Sequence, residues 1–509
     1  MFDLGKTQRD YAVYLPALSS FYVKQLDKLS KEEAPRIPVG LEHGHEGMDF
    51  LKEVDSYYHY PYTLYSAGHA QLDLKKTDSQ EPMVQGRNRN KTVVLGDSGG
   101  FQVATGVIKM DWETVTDPND PARLALCEKV LRWLEYTTDW SMILDVPSVA
   151  AIPPLNERTG LKDFQTCVDI TCLNIDYFLK NRVLGATKFM NILSGNDEAT
   201  SDIWYEGVKQ FSDPAWVEEN YGDAELALEG FAFAGNNKSN MYLALKRLLN
   251  LKDDGLLQNK GWIHFLGTGR LNWGCYLTSI QRTIREHYSK DVIVSFDAAS
   301  PFVNTAYGTT YSYNFFSPKK FSYFMDRAID QQGLKGSDLP MPFAASPIMS
   351  RLTTGDICAM AEGDLDRNGK PKKAGSTSWD TQSYLYYMAH SVYNHIFAVQ
   401  EANRLADVEK YRTDLTYKDW IRDKKNKGTN EFSPYVPYSV VYFDSFVKEV
   451  LHPDCKNPYE MLKEYKPFLE EISFGDLDQE SSLSVDFFEE SEETKPEEYA
   501  NFEDILGEI

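Results

Sequence analysis

Three aspartates, Asp97, Asp145 and Asp297, each follow a short apolar run of the kind that forms a buried strand. The carboxyl ends of parallel strands meet at one edge of a sheet, so the three carboxylates would converge there. Clustered like charges destabilise a protein unless a ligand uses them. Two carboxylates in such a site suit substitution at an anomeric carbon, with one as nucleophile and the other as general acid or base. Asp97 alone, beside a glycine pair, is equally compatible with a solvated turn.

The elements that must position these aspartates alternate between strand and helix. Apolar runs with strand character recur at intervals of roughly 30–50 residues, and helical patterns fill the gaps, which indicates parallel β-α-β units. Asp120, Asn272 and Asp380 are each placed to begin a helix. Because polar groups follow nearly every strand, the pattern favours a closed (β/α)8 TIM barrel of the α/β class over a doubly wound sheet. The predicted strands lie at 93–95, 140–144, 187–193, 229–234, 262–266 and 292–296, with strand-like pieces at 12–15 and 37–41.

Composition divides the chain into a barrel over 1–410, with an N-terminal elaboration and a closing helix, a C-terminal helical extension over 411–473 and an acidic tail over 474–509. The net charge of −23 argues against a nucleic-acid partner, but residues 470–509 alone hold 15 acidic residues and one lysine. The body can therefore still hold a phosphate backbone locally. Six cysteines without a Cys-x-x-Cys pair, and no apolar run of spanning length, lead us to expect a cytoplasmic protein without a membrane partner.

The hexapeptide from Asp97 to Gln102, Asp-Ser-Gly-Gly-Phe-Gln, resembles the signature of the tRNA-guanine transglycosylase (queuine tRNA-ribosyltransferase) family. The order of later elements is similar to that family over about residues 90–305, and more loosely to 405. The resemblance implies a (β/α)8 barrel and a pentosyltransferase that exchanges guanine for a 7-deazaguanine base by attack on the ribose C1′. No cofactor is implied for the exchange itself.

The resemblance also implies roles for individual residues. Asp297 would be the nucleophile that forms a covalent glycosyl-enzyme intermediate, and Asp97 would be the general acid/base for the departing and arriving bases. Asp145 would accept hydrogen bonds from the amidine edge of the base, Gly235 would offer it a backbone N–H, and two side chains would sandwich it. The implied base-binding set is Asp145, Phe101, Gln102, Ser194, Gly235 and Leu266.

The sequence departs from the family in three places. Ser194 stands where the family usually has a glutamine, so recognition of the base must differ there. The Cys-x-Cys-x-x-Cys and His set that holds a structural zinc in the family's tRNA enzymes has no counterpart near Cys358, so we predict no metal. The segment 298–304, which normally supplies arginines to the anticodon loop, contains no basic residue.

These departures are similar to the distant DNA-acting branch of the family, found in phages and in bacterial DNA-modification clusters. We therefore predict a DNA partner presenting a flipped or single-stranded guanine, together with a free 7-deazaguanine base. The location would be the cytoplasm, that of the host for a phage protein, and a homodimer or a helper protein is compatible with the sequence. Candidate nucleic-acid contacts are Arg87, Arg89, Arg270, Lys319 and Lys320, for each of which a solvated loop is the alternative.

Other functions are compatible with parts of the pattern. A tRNA substrate keeps the same chemistry, and the missing zinc set and arginines weigh against it. A glycoside hydrolase barrel would explain paired acids but not the hexapeptide, and retention of Asp97 and Asp297 argues against a non-catalytic subunit. The acidic tail is interpreted either as a solubilising segment or as a mimic of DNA.

Overall fold

Eight parallel strands form one sheet in the computed structural model of the protein, which describes residues 10–31, 36–70, 72–343, 346–366, 369–408 and 436–474. Hydrophobic side chains from both faces of the strands form a continuous core with the surrounding helices. The strands are Val13–Pro16 (β1), Tyr62–Ser66 (β2), Val93–Asp97 (β3), Trp140–Met142 (β4), Lys188–Leu193 (β5), Gly230–Phe233 (β6), Trp262–Phe265 (β7) and Ile293–Ala298 (β8).

The sheet is nearly closed into a barrel. Its strand order is β1-β8-β7-β6-β5-β4-β3-β2, so β1 and β2 are the two edges. A parallel bridge between Ala17 and Leu64 joins these edges, and the hydroxyl of Thr63 donates to the carbonyl of Pro16 at 2.7 Å. The chain therefore has the α/β architecture of a (β/α)8 barrel, and all eight carboxyl ends lie at one end, here called the barrel mouth.

Helices cover the outside of the sheet, as parallel strands require. Those described between residues 20 and 287 are Ser20–Ser30 (α1), Leu74–Gln80 (α2), Pro82–Gln85 (α3), Gly100–Ala104 (α4), Pro121–Thr137 (α5), Leu155–Thr159 (α6), Phe164–Asn181 (α7), Glu198–Val208 (α8), Pro214–Tyr221 (α9), Met241–Asp253 (α10) and Leu271–His287 (α11). The later helices are Ser300–Ala306 (α12), Thr354–Ile357 (α13), Thr381–Asp407 (α14), Tyr438–Val450 (α15), Pro458–Glu464 (α16) and Lys466–Phe474 (α17).

All six strands predicted between residues 93 and 296 are present, with ends shifted by a few residues. The piece at 12–15 is β1, whereas 37–41 forms turns and no strand, since Pro38 and Gly40 interrupt it. The sequence reading missed β2, whose Thr63 and Tyr65 are fully buried although both are polar. The N-terminal segment therefore supplies two barrel strands and is not an elaboration.

Two of the three predicted helix starts are confirmed. Asp120 accepts a hydrogen bond from the backbone N–H of Arg123 at the start of α5, and Asp380 forms a capping box with Ser383 at the start of α14. The prediction for Asn272 is wrong, because α11 begins one residue earlier. The Asn272 side chain instead accepts from the backbone N–H of Phe321 at 3.1 Å.

An antiparallel hairpin follows the last barrel strand and α12. It consists of Thr309–Phe316 (β9) and Phe321–Arg327 (β10), and the register shifts between Phe324 and Met325.

Beyond the hairpin, α15 packs on α11, and the hydroxyl of Ser473 in α17 accepts from the backbone N–H of Met241 at 2.8 Å. The acidic tail lies outside the described residues except for Phe474, and so do residues 411–435 of the predicted C-terminal extension. In the described part of the chain, no helix combines the length and apolarity needed to cross a membrane.

Arg87 lies at the amino ends of the strands, opposite the mouth. Its guanidinium is fully buried, pairs with Asp139 at 2.8 Å and donates to the carbonyl of Thr137 at 3.1 Å. Arg89 beside it is exposed and donates to the carbonyl of Tyr136. The prediction that these arginines contact nucleic acid is withdrawn, because one is buried in an ion pair and both are remote from the mouth.

We expect Arg87→Met to lower the free energy of unfolding by about 3 kcal/mol, because it leaves the carboxylate of Asp139 without its buried partner. The matched variant Arg89→Met removes an exposed guanidinium and should change the free energy by less than about 0.5 kcal/mol. Urea denaturation of both variants tests this. Equal effects of the two substitutions would contradict a structural role for Arg87.

Candidate functional site

The three predicted aspartates meet at the barrel mouth. Asp97 is the last residue of β3, Asp297 lies one residue before the end of β8, and Asp145 follows β4. The negative charge of Asp297 acts on Asp97, and that of Asp97 acts on Asp145, in each case raising the pKa of the affected carboxyl. The convergence expected from the sequence is therefore present.

Asp97 is held by the neighbouring strand and by its own turn. Ser66 is its partner in the β2–β3 register, and the Ser66 hydroxyl donates to Oδ2 of Asp97 at 2.7 Å. The backbone N–H of Gly99 donates to Oδ1 at 3.3 Å. Burial nevertheless raises the pKa of Asp97, because these two hydrogen bonds only partly compensate the loss of water. A carboxyl in this environment is suited to deliver and remove a proton.

Each glycine of the pair after Asp97 has a physical reason: Gly99 has a left-handed backbone conformation, and Gly100 lies in close contact with Asp145. Gly99 has φ of +83°, a left-handed conformation that a side chain disfavours. A Cβ on Gly100 would lie 2.3 Å from Oδ1 of Asp145 and 2.8 Å from its backbone oxygen. The first turn of α4 therefore packs directly against Asp145, and any larger residue at 100 would displace that carboxyl.

Asp145 is a buried carboxyl whose pKa is raised. Its residue is 5 % exposed, and burial, followed by the charge of Asp97, raises its pKa to about 7. The carboxyl therefore changes between a neutral hydrogen-bond donor and a carboxylate acceptor near neutral pH. Such a group can accept two N–H bonds from a bound ligand once it is ionised.

Asp297 is fixed by two donors from β7 and the turn after it. The backbone N–H of Gly267 donates to its Oδ1 at 2.6 Å, and Nε2 of His264 lies 3.2 Å from the same oxygen. The other ring nitrogen of His264 contacts Oγ of Ser295 at 2.8 Å, and that oxygen accepts from the indole of Trp262 at 2.6 Å. Because an indole only donates, the Ser295 hydroxyl is free to donate to Nδ1, which leaves the Nε2 hydrogen for Asp297.

His264 was missed in the sequence, although it lies in the middle of β7. It is fully buried, and its partner across the β7–β8 register is Ser295. The signal for it was the single imidazole inside the apolar run 262–266, which a buried strand includes only when its nitrogens have partners. A chain of hydrogen bonds therefore orients the carboxylate from inside the barrel, running from Trp262 through Ser295 and His264 to Asp297.

Lys238 is a second residue that sequence reasoning missed. It ends the 3-10 turn Gly235–Lys238 after β6, and its Nζ lies 3.1 Å from the point where a Cβ on Gly267 would stand. Burial lowers the pKa of this amine, while the charges of Asp297 and Asp97 act in the opposite direction. An amine therefore lies beside the carboxylates, and in its protonated form it would offset part of their mutual repulsion.

The residues predicted to bind a base differ in their exposure and in the groups that they contact. Phe101 is 46 % exposed at the start of α4, Ser194 is buried, and the Ser194 hydroxyl lies 3.0 Å from the point where a Cβ on Gly235 would stand. Leu266 is half-buried and follows β7 directly. The side-chain nitrogen of Gln102 lies 2.9 Å from Nε2 of His69, in the 3-10 turn after β2. This contact holds the amide of Gln102 to His69 and not to the aspartates.

Two groups of predicted nucleic-acid contacts remain near the mouth. Arg270 follows β7, but its guanidinium donates to the carbonyl of Ser473 at 2.6 Å and lies over the ring of Trp273. It therefore ties α17 to the barrel. Lys319 and Lys320 form the turn of the hairpin, where Lys319 is exposed and Lys320 half-buried.

The residues after the barrel do not fit a structural zinc ion. Cys358 is buried with its Sγ 3.5 Å from the backbone N–H of Gln331, and both ring nitrogens of His390 are hydrogen-bonded, to Ser346 and to the carbonyl of Tyr311. Among the described residues, no group of three or more histidine, cysteine, aspartate or glutamate side chains could hold a metal ion. A tetrahedral site needs four such ligands.

Comparisons with known proteins add no assignment. No protein-family model matches the chain, and no curated protein matches it.

The raised pKa of Asp145 predicts a pH-dependent cost to stability. An unfolded aspartate has a pKa of about 3.9 and the folded one about 7, so the folded state binds the extra proton between these values. The free energy of unfolding therefore falls as pH rises from 4 to 7. We expect Asp145→Asn to be more stable than the parent protein at pH 8, by on the order of 3 kcal/mol, and to differ little at pH 4.

Urea denaturation of both proteins at pH 4 and pH 8 measures this difference. Asp454→Asn is the control, because its side chain is 92 % exposed and its replacement should have no pH-dependent effect. A constant difference between Asp145→Asn and the parent at both pH values would show that the folded protein does not raise the pKa of this carboxyl.

Proposed function

We propose that the protein is a transglycosylase that exchanges guanine in DNA for a 7-deazaguanine base. The observation that carries the proposal is the pair Asp97 and Asp297, which share the barrel mouth in different environments. Burial raises the pKa of Asp97, whereas Asp297 accepts hydrogen bonds from a backbone N–H and an imidazole. One group is thus suited to carry a proton and the other to act as a nucleophile.

In the first half-reaction, a carboxylate oxygen of Asp297 attacks C1′ of the target nucleotide. The C1′–N9 bond breaks, its electron pair stays with the guanine, and the proton of Asp97 passes to the departing base. A covalent glycosyl-aspartate ester remains. The hydrogen bonds from Gly267 and His264 keep the attacking group aligned, and this alignment is the chief contribution of the β7 turn.

In the second half-reaction, N9 of the 7-deazaguanine attacks C1′ of the ester and Asp297 leaves. The N9 proton passes to Asp97, which restores the starting protonation of both carboxyls. Asp145 in its ionised form accepts from N1–H and the 2-amino group of either base, which guanine and 7-deazaguanine share. Its pKa near 7 makes base binding stronger above neutral pH than below it.

The choice of DNA depends on the segment after the nucleophile. In α12, Pro301, Phe302, Thr305 and Ala306 are buried, and Phe302 packs its ring against Tyr22 at 5.3 Å. This helix offers no cation to a folded RNA loop. A guanine within duplex DNA would have to be flipped from the stack, and a guanine in a single strand would be accessible directly.

The decisive experiment incubates the protein with labelled guanine and, separately, duplex DNA, single-stranded DNA and tRNA. Incorporation into DNA is expected, and Asp297→Ala should abolish both incorporation and the denaturant-stable protein–DNA adduct. Asp97→Asn should lower the exchange rate by about 10²–10⁴-fold, the usual contribution of general acid/base catalysis. Incorporation into tRNA alone would assign the activity to tRNA, and incorporation into neither would contradict a transglycosylase.

His264 is expected to act as a positioning residue. His264→Phe removes one donor to Asp297, so kcat should fall by about 100-fold through misplacement of the nucleophile, while KM for the base stays within about twofold. His264→Gln keeps an N–H donor and should recover at least part of the rate. A parallel loss in both variants, or a rise in KM with kcat unchanged, would show that the imidazole has a different role.

A further inference from the structure

We propose that the hairpin after the nucleophile strand is a stacking platform for unpaired nucleotides of the nucleic-acid strand that carries the target base. Its outer side, here called the aromatic face, consists of Tyr313, Phe315 and Phe324. The proposal rests on the proposed function for the nature of the strand, and it adds a binding surface outside the base-exchange site.

The aromatic face is built by cross-strand pairing. Tyr313 lies opposite Phe324 in the β9–β10 register, and their rings stack at 4.6 Å with 17° between the planes. Phe315 meets Phe324 edge-on at 6.5 Å. The three residues are 51 %, 49 % and 37 % exposed, respectively. Three large rings therefore present apolar surface to water from one side of a two-stranded sheet, which marks an interaction site.

The opposite side of the hairpin anchors it to the barrel mouth. Tyr323 and Tyr311 stack on each other at 4.7 Å, and Nδ1 of the buried His395 contacts the Tyr311 hydroxyl at 2.8 Å. The imidazole of His395 also packs on Tyr14, whose hydroxyl donates to the carbonyl of Ala298, the residue after the nucleophile. A short chain of contacts thus connects the aromatic face to Asp297.

The turn of the hairpin carries the charge that a phosphate backbone needs. Lys319 and Lys320 occupy it, and within the described residues neither ammonium group is ion-paired. The backbone N–H of Phe321, immediately after the turn, is held by Asn272 at the start of α11, so the lysines lie on the mouth side of the molecule. Cations beside exposed aromatic rings are the composition of single-strand binding sites, in a chain whose net charge is −23.

This combination favours a single strand over an apolar protein partner. Bases of any sequence can stack on aromatic rings, and the backbone between them contacts the lysines, whereas paired bases in a duplex hide their faces. A strand bound on the hairpin would approach the mouth with its bases already unstacked. The platform therefore supplies part of the energy that brings a guanine out of its stack.

The test uses the full chain and a fluorescein-labelled oligothymidylate, which contains no guanine for the exchange site. Fluorescence anisotropy should give an affinity for the strand that falls about tenfold or more in the double variant Tyr313→Ala with Phe324→Ala. Tyr136→Ala is the matched control, since this ring is 41 % exposed at the other end of the barrel and should leave the affinity within about twofold. Circular dichroism verifies that the variants are folded.

The lysines are tested by salt dependence. For single strands, each lost phosphate contact reduces the slope of log affinity against log salt by about 0.7, so Lys319→Ala with Lys320→Ala should reduce it by about 1.4.

The outcomes separate the two proposals. Hairpin-dependent binding of oligothymidylate without exchange on any nucleic acid would overturn the transglycosylase and retain the platform. Unchanged strand binding in the double variant would overturn the platform, whatever the exchange rate. A shift from dimer to monomer in the double variant, with unchanged strand binding, would assign the aromatic face to contacts between copies of this chain.

Discussion

The barrel mouth buries three carboxylates close together at one end of a parallel sheet, and the rest of the site compensates the free-energy cost of doing so. Asp97, Asp145 and Asp297 repel one another, and burial makes their charges more costly. The protein meets this cost locally, through the Ser66 hydroxyl, the backbone N–H groups of Gly99 and Gly267 and the nearby amine of Lys238. The remaining imbalance appears as raised pKa values at Asp97 and Asp145, the property that acid–base chemistry at neutral pH requires.

The carboxyl groups of the site are positioned by close packing of the backbone and by strand register, and not by long flexible side chains. Gly100 lets α4 press on Asp145, and the β7–β8 register aligns His264 with Ser295 so that their hydrogen bonds end on Asp297. Each carboxyl is therefore positioned by a strand or by the first residues after it. In the proposed transglycosylase, these rigid elements would hold the reacting carbon in line with Asp297 and so raise the rate of the exchange.

The surface outside the mouth differs from its interior in physical character. Around the aspartates the chain balances charge, whereas on the hairpin it leaves Tyr313, Phe315 and Phe324 facing water next to two lysines. Cross-strand stacking of such rings contributes at most about 1 kcal/mol per pair to the hairpin, and the free side of an antiparallel sheet commonly carries polar residues. This contrast agrees with the proposal that the two regions bind different parts of one nucleic-acid strand.

Apolar runs and their spacing are local properties of the chain, so they were enough to predict the barrel strands from residue 93 onward and the convergence of the three aspartates. It misplaced Arg87 on the nucleic-acid surface, missed the polar strand β2, and overlooked His264 and Lys238. The positions of these residues depend on contacts between distant parts of the chain. Arg87 pairs with Asp139, Thr63 bonds to Pro16 where the barrel closes, and His264 contacts Ser295. Such partners become visible only in the folded chain, because burial and hydrogen bonding join residues that lie far apart in the sequence.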